Sequence, residues 1–163
     1  MKSVPRATRG GGLAVIFRTS LESSDTVTNF FAFDHSSFEL LELTLSLKHI
    51  QLHIFLLYKP PPSKIKQLSN ALVFEQFPDF LSHCNTLKGK MLVLEDFNFQ
   101  YACDHKMGHM RDIFTQFDLE QCVRDPTHKS CYVIDWVLQR QCDPLLQSVS
   151  VESVFTSDHM SIV

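Results

Sequence analysis

The segment running from Ile50 to Tyr58, Ile-Gln-Leu-His-Ile-Phe-Leu-Leu-Tyr, places the tightest limit on what this chain can fold into. It is too short to cross a bilayer, which takes roughly 18 to 20 apolar residues, and it is more continuously apolar than a strand with one wet face. That pattern predicts a strand covered on both sides. Pro60-Pro61-Pro62 follows at once, and because proline cannot donate to a ladder, the strand must stop and a loop must begin.

The neighbouring segments supply the covering layers. Residues 13–18 form a short apolar run behind Gly10-Gly11-Gly12, and residues 38–47 set Leu41, Leu43, Leu45 and Leu47 against Glu42, Thr44 and Ser46; both read as strands. Ser63 can cap a helix carrying Ile65, Leu68 and Leu72, with a break at Pro78 before Phe80, Leu81 and Cys84. Residues 91–94 predict a short buried strand that delivers Glu95-Asp96-Phe97-Asn98 to its carboxyl end. Met107, Met110, Ile113, Phe114 and Phe117 recur at helical spacing, and residues 132–138 and 148–155 are strand-like. This alternation predicts one mixed α/β sandwich over 10–163, preceded by a loose segment over 1–9.

Composition narrows the function classes. With 44% hydrophobic and 20% charged residues, the chain is neither disordered nor fibrous. A formal charge of -3 gives no overall pull toward nucleic acid, so any DNA contact rests on a local basic edge such as Lys64, Lys66, Lys88 and Lys90. Cys84, Cys103, Cys122, Cys131 and Cys142 are odd in number and lack a C-x-x-C pair, which predicts reduced thiols. No apolar leader follows the N-terminal positive charges, so the expected location is intracellular, nuclear or cytoplasmic, with no membrane contact.

Polar residues at strand ends are the candidates for chemistry: Asp96 with Asn98, Asp135 inside an apolar run, and Ser157-Asp158-His159. A carboxylate inside an apolar strand is costly without a partner, and His159, a bound ion or Arg140 are the candidates for Asp135. Cys103, Asp104, His105 and His109 raise the question of zinc, but they do not make a closed four-ligand spacing.

Five segments in order carry a resemblance: Arg9-Gly10-Gly11-Gly12-Leu13-Ala14-Val15; Leu57-Tyr58-Lys59-Pro60-Pro61; Leu94-Glu95-Asp96-Phe97-Asn98; Pro126-Thr127-His128 with Ile134-Asp135-Trp136-Val137-Leu138; and Ser157-Asp158-His159. Together they resemble the endonuclease/exonuclease/phosphatase family, and within it the endonucleases of non-LTR (LINE-type) retrotransposons. The resemblance implies a DNase I-like α/β fold, a two-sheet sandwich with outer helices, and magnesium- or manganese-dependent hydrolysis of DNA phosphodiesters. It implies that Asp96 orients or deprotonates the attacking water, that Asn98 and Tyr58 donate to the phosphate, that Asp135 and His159 pair at the scissile group, and that Asp158, with Asp96, lies at the metal.

The departures set further expectations. The family places an asparagine and a metal-binding glutamate ahead of the glycine-rich motif, whereas residues 1–10 hold neither asparagine nor an acidic residue, and four residues follow His159. The resemblance therefore implies a domain incomplete at both ends and weak or inactive as a nuclease, with self-association through exposed sheet surface. Glu95 stands where the family has glycine, either crowding a tight place or offering the ion a new carboxylate. A non-catalytic module binding protein or nucleic acid, or a phosphatase of the same family, are the alternatives.

Overall fold

The computed structural model describes residues 2–5, 12–16, 37–47, 49–60, 70–98 and 106–163. Gly10 and Gly11, the helix start with Ser63, Ile65 and Leu68, the lysines Lys64 and Lys66, and the Cys103-Asp104-His105 group lie outside the described residues.

The elements run β1 (Lys2–Pro5), β2 (Gly12–Val15), β3 (Glu39–Leu47), β4 (Ile50–Tyr58), α1 (Asn70–Thr86), β5 (Lys90–Asp96), α2 (Lys106–Gln116), β6 (Leu119–Gln121), β7 (Asp135–Arg140), β8 (Val151–Glu152) and β9 (Ser161–Ile162). A five-stranded mixed sheet, in the order β3-β4-β5-β7-β6, is the centre, and β1-β2 and β8-β9 are separate two-stranded ribbons. The apolar run is indeed interior: β4 pairs antiparallel with β3 and parallel with β5. Its Phe55 and Leu57 face the helices, while Leu52, Ile54 and Leu56 face the other side.

Aromatic packing fills the helix side. Phe77 and Phe80 of α1 meet Phe97, Phe55 and Phe38, and Phe114 of α2 stands edge-on to Trp136 at 5.8 Å between ring centroids. Helix α1 does not break at Pro78 as expected; it runs through it. A proline inside a helix costs about 3 kcal/mol, whereas each of the buried side chains Val73, Phe77, Phe80, Leu81 and Cys84 contributes roughly 1.5–3 kcal/mol when apolar. Packing on the sheet therefore outweighs the lost hydrogen bond. Arg140 then closes the helix's far end, its guanidinium donating to the carbonyls of Cys84 and Gly89 at 2.9 Å each. Gly89 is required in the turn: its φ is +112°, and a Cβ there would stand 2.3 Å from the Gln51 carbonyl oxygen.

The second face is covered by a thinner layer, in which Leu13 and Val15 of β2 pack on Leu41, Leu43, Leu45, Leu52, Ile54 and Leu56. The polar side of β3 is not wet, as its alternation implied. Glu42 and Thr44 are buried on the helix side, where Thr44 Oγ1 lies 3.0 Å from His53 Nδ1 and His53 Nε2 lies 3.1 Å from the Lys88 carbonyl. Three further differences follow from short-range patterning too weak to read. Strand β1 lies in the segment expected to be loose, β6 was not foreseen, and the strand expected over 148–155 shrinks to β8.

Candidate active site

Strand register brings the site together. Tyr58 at the end of β4 lies opposite Asp96 at the end of β5, and Asp96 lies opposite Asp135 at the start of β7. In a pleated sheet laterally paired residues point to the same side, so these three side chains form a row on the face away from the helices. His159, which precedes β9, completes the group. Its Nδ1 lies 3.0 and 2.9 Å from the two carboxylate oxygens of Asp135. Of the partners weighed for Asp135, the structure supplies His159; Arg140 lies at the opposite end of β7 and serves the helix.

Ligand atoms of Asp96, Asp135 and His159 lie within 4.8 Å of one another. Burial raises the Asp96 carboxyl above its ordinary value, and the neighbouring Asp135 charge adds to this, while the hydrogen bond from the Asn98 amide, His159 and Lys59 oppose it. Burial disfavours charge on His159, yet its bond to Asp135 and the charges of Asp135, Asp96 and Asp158 outweigh that and raise it. The pair thus favours an imidazolium held by a carboxylate.

Thr127, in the Pro126-Thr127-His128 segment, sets the position of both partners, a role its residue type does not announce in the sequence. It is wholly buried, and its hydroxyl accepts the amides of Ile134 at 3.1 Å and Asp135 at 3.0 Å. Its carbonyl accepts the amide of Met160 at 2.7 Å, next to His159. Ser157 adds a local turn, its Oγ accepting the His159 amide at 3.0 Å.

Asp158 sits one step outward. It is largely exposed, its carboxyl is held below the ordinary value chiefly by a backbone hydrogen bond, and its Oδ2 lies 3.5 Å from His128 Nε2. His128, Asp158 and His159 make a second close triplet. However, His128 Nδ1 accepts the Ser130 amide at 3.1 Å, so Nε2 carries the hydrogen that faces Asp158. The triplet presents a donor to an acceptor, not three lone pairs to an ion. His109, the described member of the zinc group, is exposed and packs edge-on to Phe74 at 5.3 Å.

Glu95 does not join the row. Alternation turns it to the helix side between Leu57 and Trp136, where it is 5% exposed and neither carboxylate oxygen has a hydrogen-bond partner among the described residues. Burial, and then the Asp96 charge, hold it well above the usual carboxylate range. Beside the row a cleft of about 270 Å³ opens on the second face, lined by Leu13, Leu56, Leu94, Val137 and Ile162 as well as Asp96 and Asp135.

A five-stranded mixed sheet with helices on one face, strand ribbons on the other and an acidic-histidine row at the strand ends defines a DNase I-like α/β fold. Solved structures agree. Over 83% of this chain and 67% of the other, the endonuclease domain of TRAS1, a telomere-specific non-LTR retrotransposon, superposes with a TM-score of 0.57 at 9% identity. A humanized D. rerio TDP2 carrying 14 mutations superposes with a TM-score of 0.52 at 12% identity, over 77% of this chain and 58% of that one. No family model and no curated protein sequence matches the chain. No helix among the described residues is long and apolar enough to cross a membrane.

Proposed function

We propose that this chain is a metal-assisted phosphodiesterase domain acting on DNA, of the kind found in LINE-type retrotransposon endonucleases, with low activity. The observation that carries the reading is the Asp135–His159 pair facing Asp96 across one row of the sheet. Asp96 is the group to orient or deprotonate the attacking water. His159, held by Asp135, and Tyr58, opposite Asp96 in the sheet, are the donors to non-bridging phosphate oxygens.

The donor set suits a hard dication. Burial, and then the Asp135 charge, disfavour the charged form of Asp96, and a cation beside its oxygens would offset both. Asp96 is the residue to hold magnesium or manganese, with Asp158 one step outward and facing His128, and the ion when bound would polarise the phosphate and acidify a water. Low activity follows from the carboxylate count. Among the described residues Glu95 faces the core and Asp135 is engaged by His159, which leaves few oxygens for an ion.

Plasmid nicking in magnesium and in manganese tests this, with Asp135→Asn and His159→Ala run beside the wild-type chain. Slow metal-dependent nicking that falls by about 10²-fold in either variant supports the proposal; nicking unchanged in both ends it. Salt-dependent DNA binding with no cleavage would instead favour a binding module on this fold.

A further inference from the structure

In a parallel ladder a residue's N–H donates to the carbonyl just before its cross-strand partner, and its C=O accepts from the N–H just after that partner. Extending the β4–β5 register by one step sets Lys59 opposite Phe97. The first bond is as the ladder demands: the Lys59 N–H donates to the Asp96 carbonyl at 2.8 Å. The second should run from the Asn98 backbone N–H to the Lys59 carbonyl. Instead the Asn98 side-chain Nδ2 donates to that carbonyl at 2.9 Å, and the Asn98 backbone N–H donates to Asp96 Oδ1 at 3.0 Å. The chain turns into the left-handed region to do this, with φ of 52° at Asn98, a conformation asparagine tolerates better than most side chains.

We infer that Asn98 is a positioning residue for Asp96. Its side-chain amide stands in for its own backbone N–H in the sheet, and the N–H so released grips the carboxylate. This rests on the proposed function for why the aim of Asp96 matters, and it replaces the direct phosphate contact that the resemblance implied for Asn98. The residue type is narrowly set. Aspartate has the same reach but cannot donate, and glycine accepts the backbone angle but brings no amide.

Through-hydrogen-bond NMR couplings decide the exchange of donors directly. The Lys59 carbonyl carbon should couple to the Asn98 side-chain nitrogen; coupling to the Asn98 backbone nitrogen overturns the inference. In Asn98→Gly the backbone coupling should appear, the thermal midpoint should stay near that of the wild type, and manganese affinity by calorimetry should fall about tenfold. In nicking, kcat should fall with KM for DNA unchanged. A rise in KM alone would return Asn98 to the phosphate, and undiminished manganese affinity would remove its positioning role. If the wild-type chain binds no manganese, the proposed function fails while the couplings still settle the exchange of donors.

Discussion

Glu95 and Asp96 are adjacent in β5, yet their carboxyl groups lie on opposite faces of the sheet, one in the aromatic core and one in the row with Asp135. Two acids next to each other in sequence therefore meet opposite environments.

The buried one is expected to destabilise the fold at neutral pH. Because the folded value of Glu95 lies above its unfolded one of about 4.3, the folded state binds the extra proton between them, and stability falls as pH rises through that window. Glu95→Leu should be more stable than the wild type at pH 7 by about 1–3 kcal/mol. The gain should shrink toward pH 4, as urea denaturation at several pH values would show. A variant less stable than the wild type at pH 7 would mean that the Glu95 carboxyl has a partner.

Asp135→Asn should lower the titration midpoint of His159, followed by its ring proton shifts. In the wild type the raised folded value means that this pair adds stability below the unfolded histidine value, about 6.5, and loses it as pH rises through the folded value. An unchanged midpoint in the variant would separate the two residues.

Thr127→Val removes the acceptor for two buried amides and should cost about 1–3 kcal/mol. Thr127→Ser should recover most of it. Equal stability of the valine and serine variants, measured by chemical denaturation, would show that the hydroxyl does not position the start of β7.

Gly89→Ala meets the Gln51 carbonyl with a Cβ at 2.3 Å and a φ of +112°, so backbone must shift. A loss of at least about 1–3 kcal/mol is expected, with the thermal midpoint as its measure. A neutral substitution would indicate that the α1–β5 turn has another conformation of equal energy.

Much of this was legible in the sequence because it depended on local pattern. The continuous apolar run gave β4 its bounds, and an aspartate inside an apolar segment announced a partner, which His159 proved to be. What stayed hidden depended on register. Nothing local says that Tyr58, Asp96 and Asp135 share a row, because that follows from pairing between strands far apart in the chain. The alternation in β3 misled for a related reason: Glu42 and Thr44 are buried, Thr44 beside His53 Nδ1 and Glu42 within 3.6 Å of it, and such pairing is invisible strand by strand. Pro78 misled because a breaker's local cost is readable while the aromatic packing that overrides it is not.

Strand β7 has Asp135 in the row at one end, Trp136 in the core beside it, and Arg140 on the closing turn of α1 at the other. Because side chains alternate with a period of two, inserting or deleting one residue within it would swap Asp135 into the aromatic core and Trp136 onto the acidic row. If Asp135 and Trp136 keep their register, the shift falls instead on the other end and pulls Arg140 from the helix carbonyls. A change of one residue in the length of this strand therefore costs one of its two ends, whichever end keeps its register.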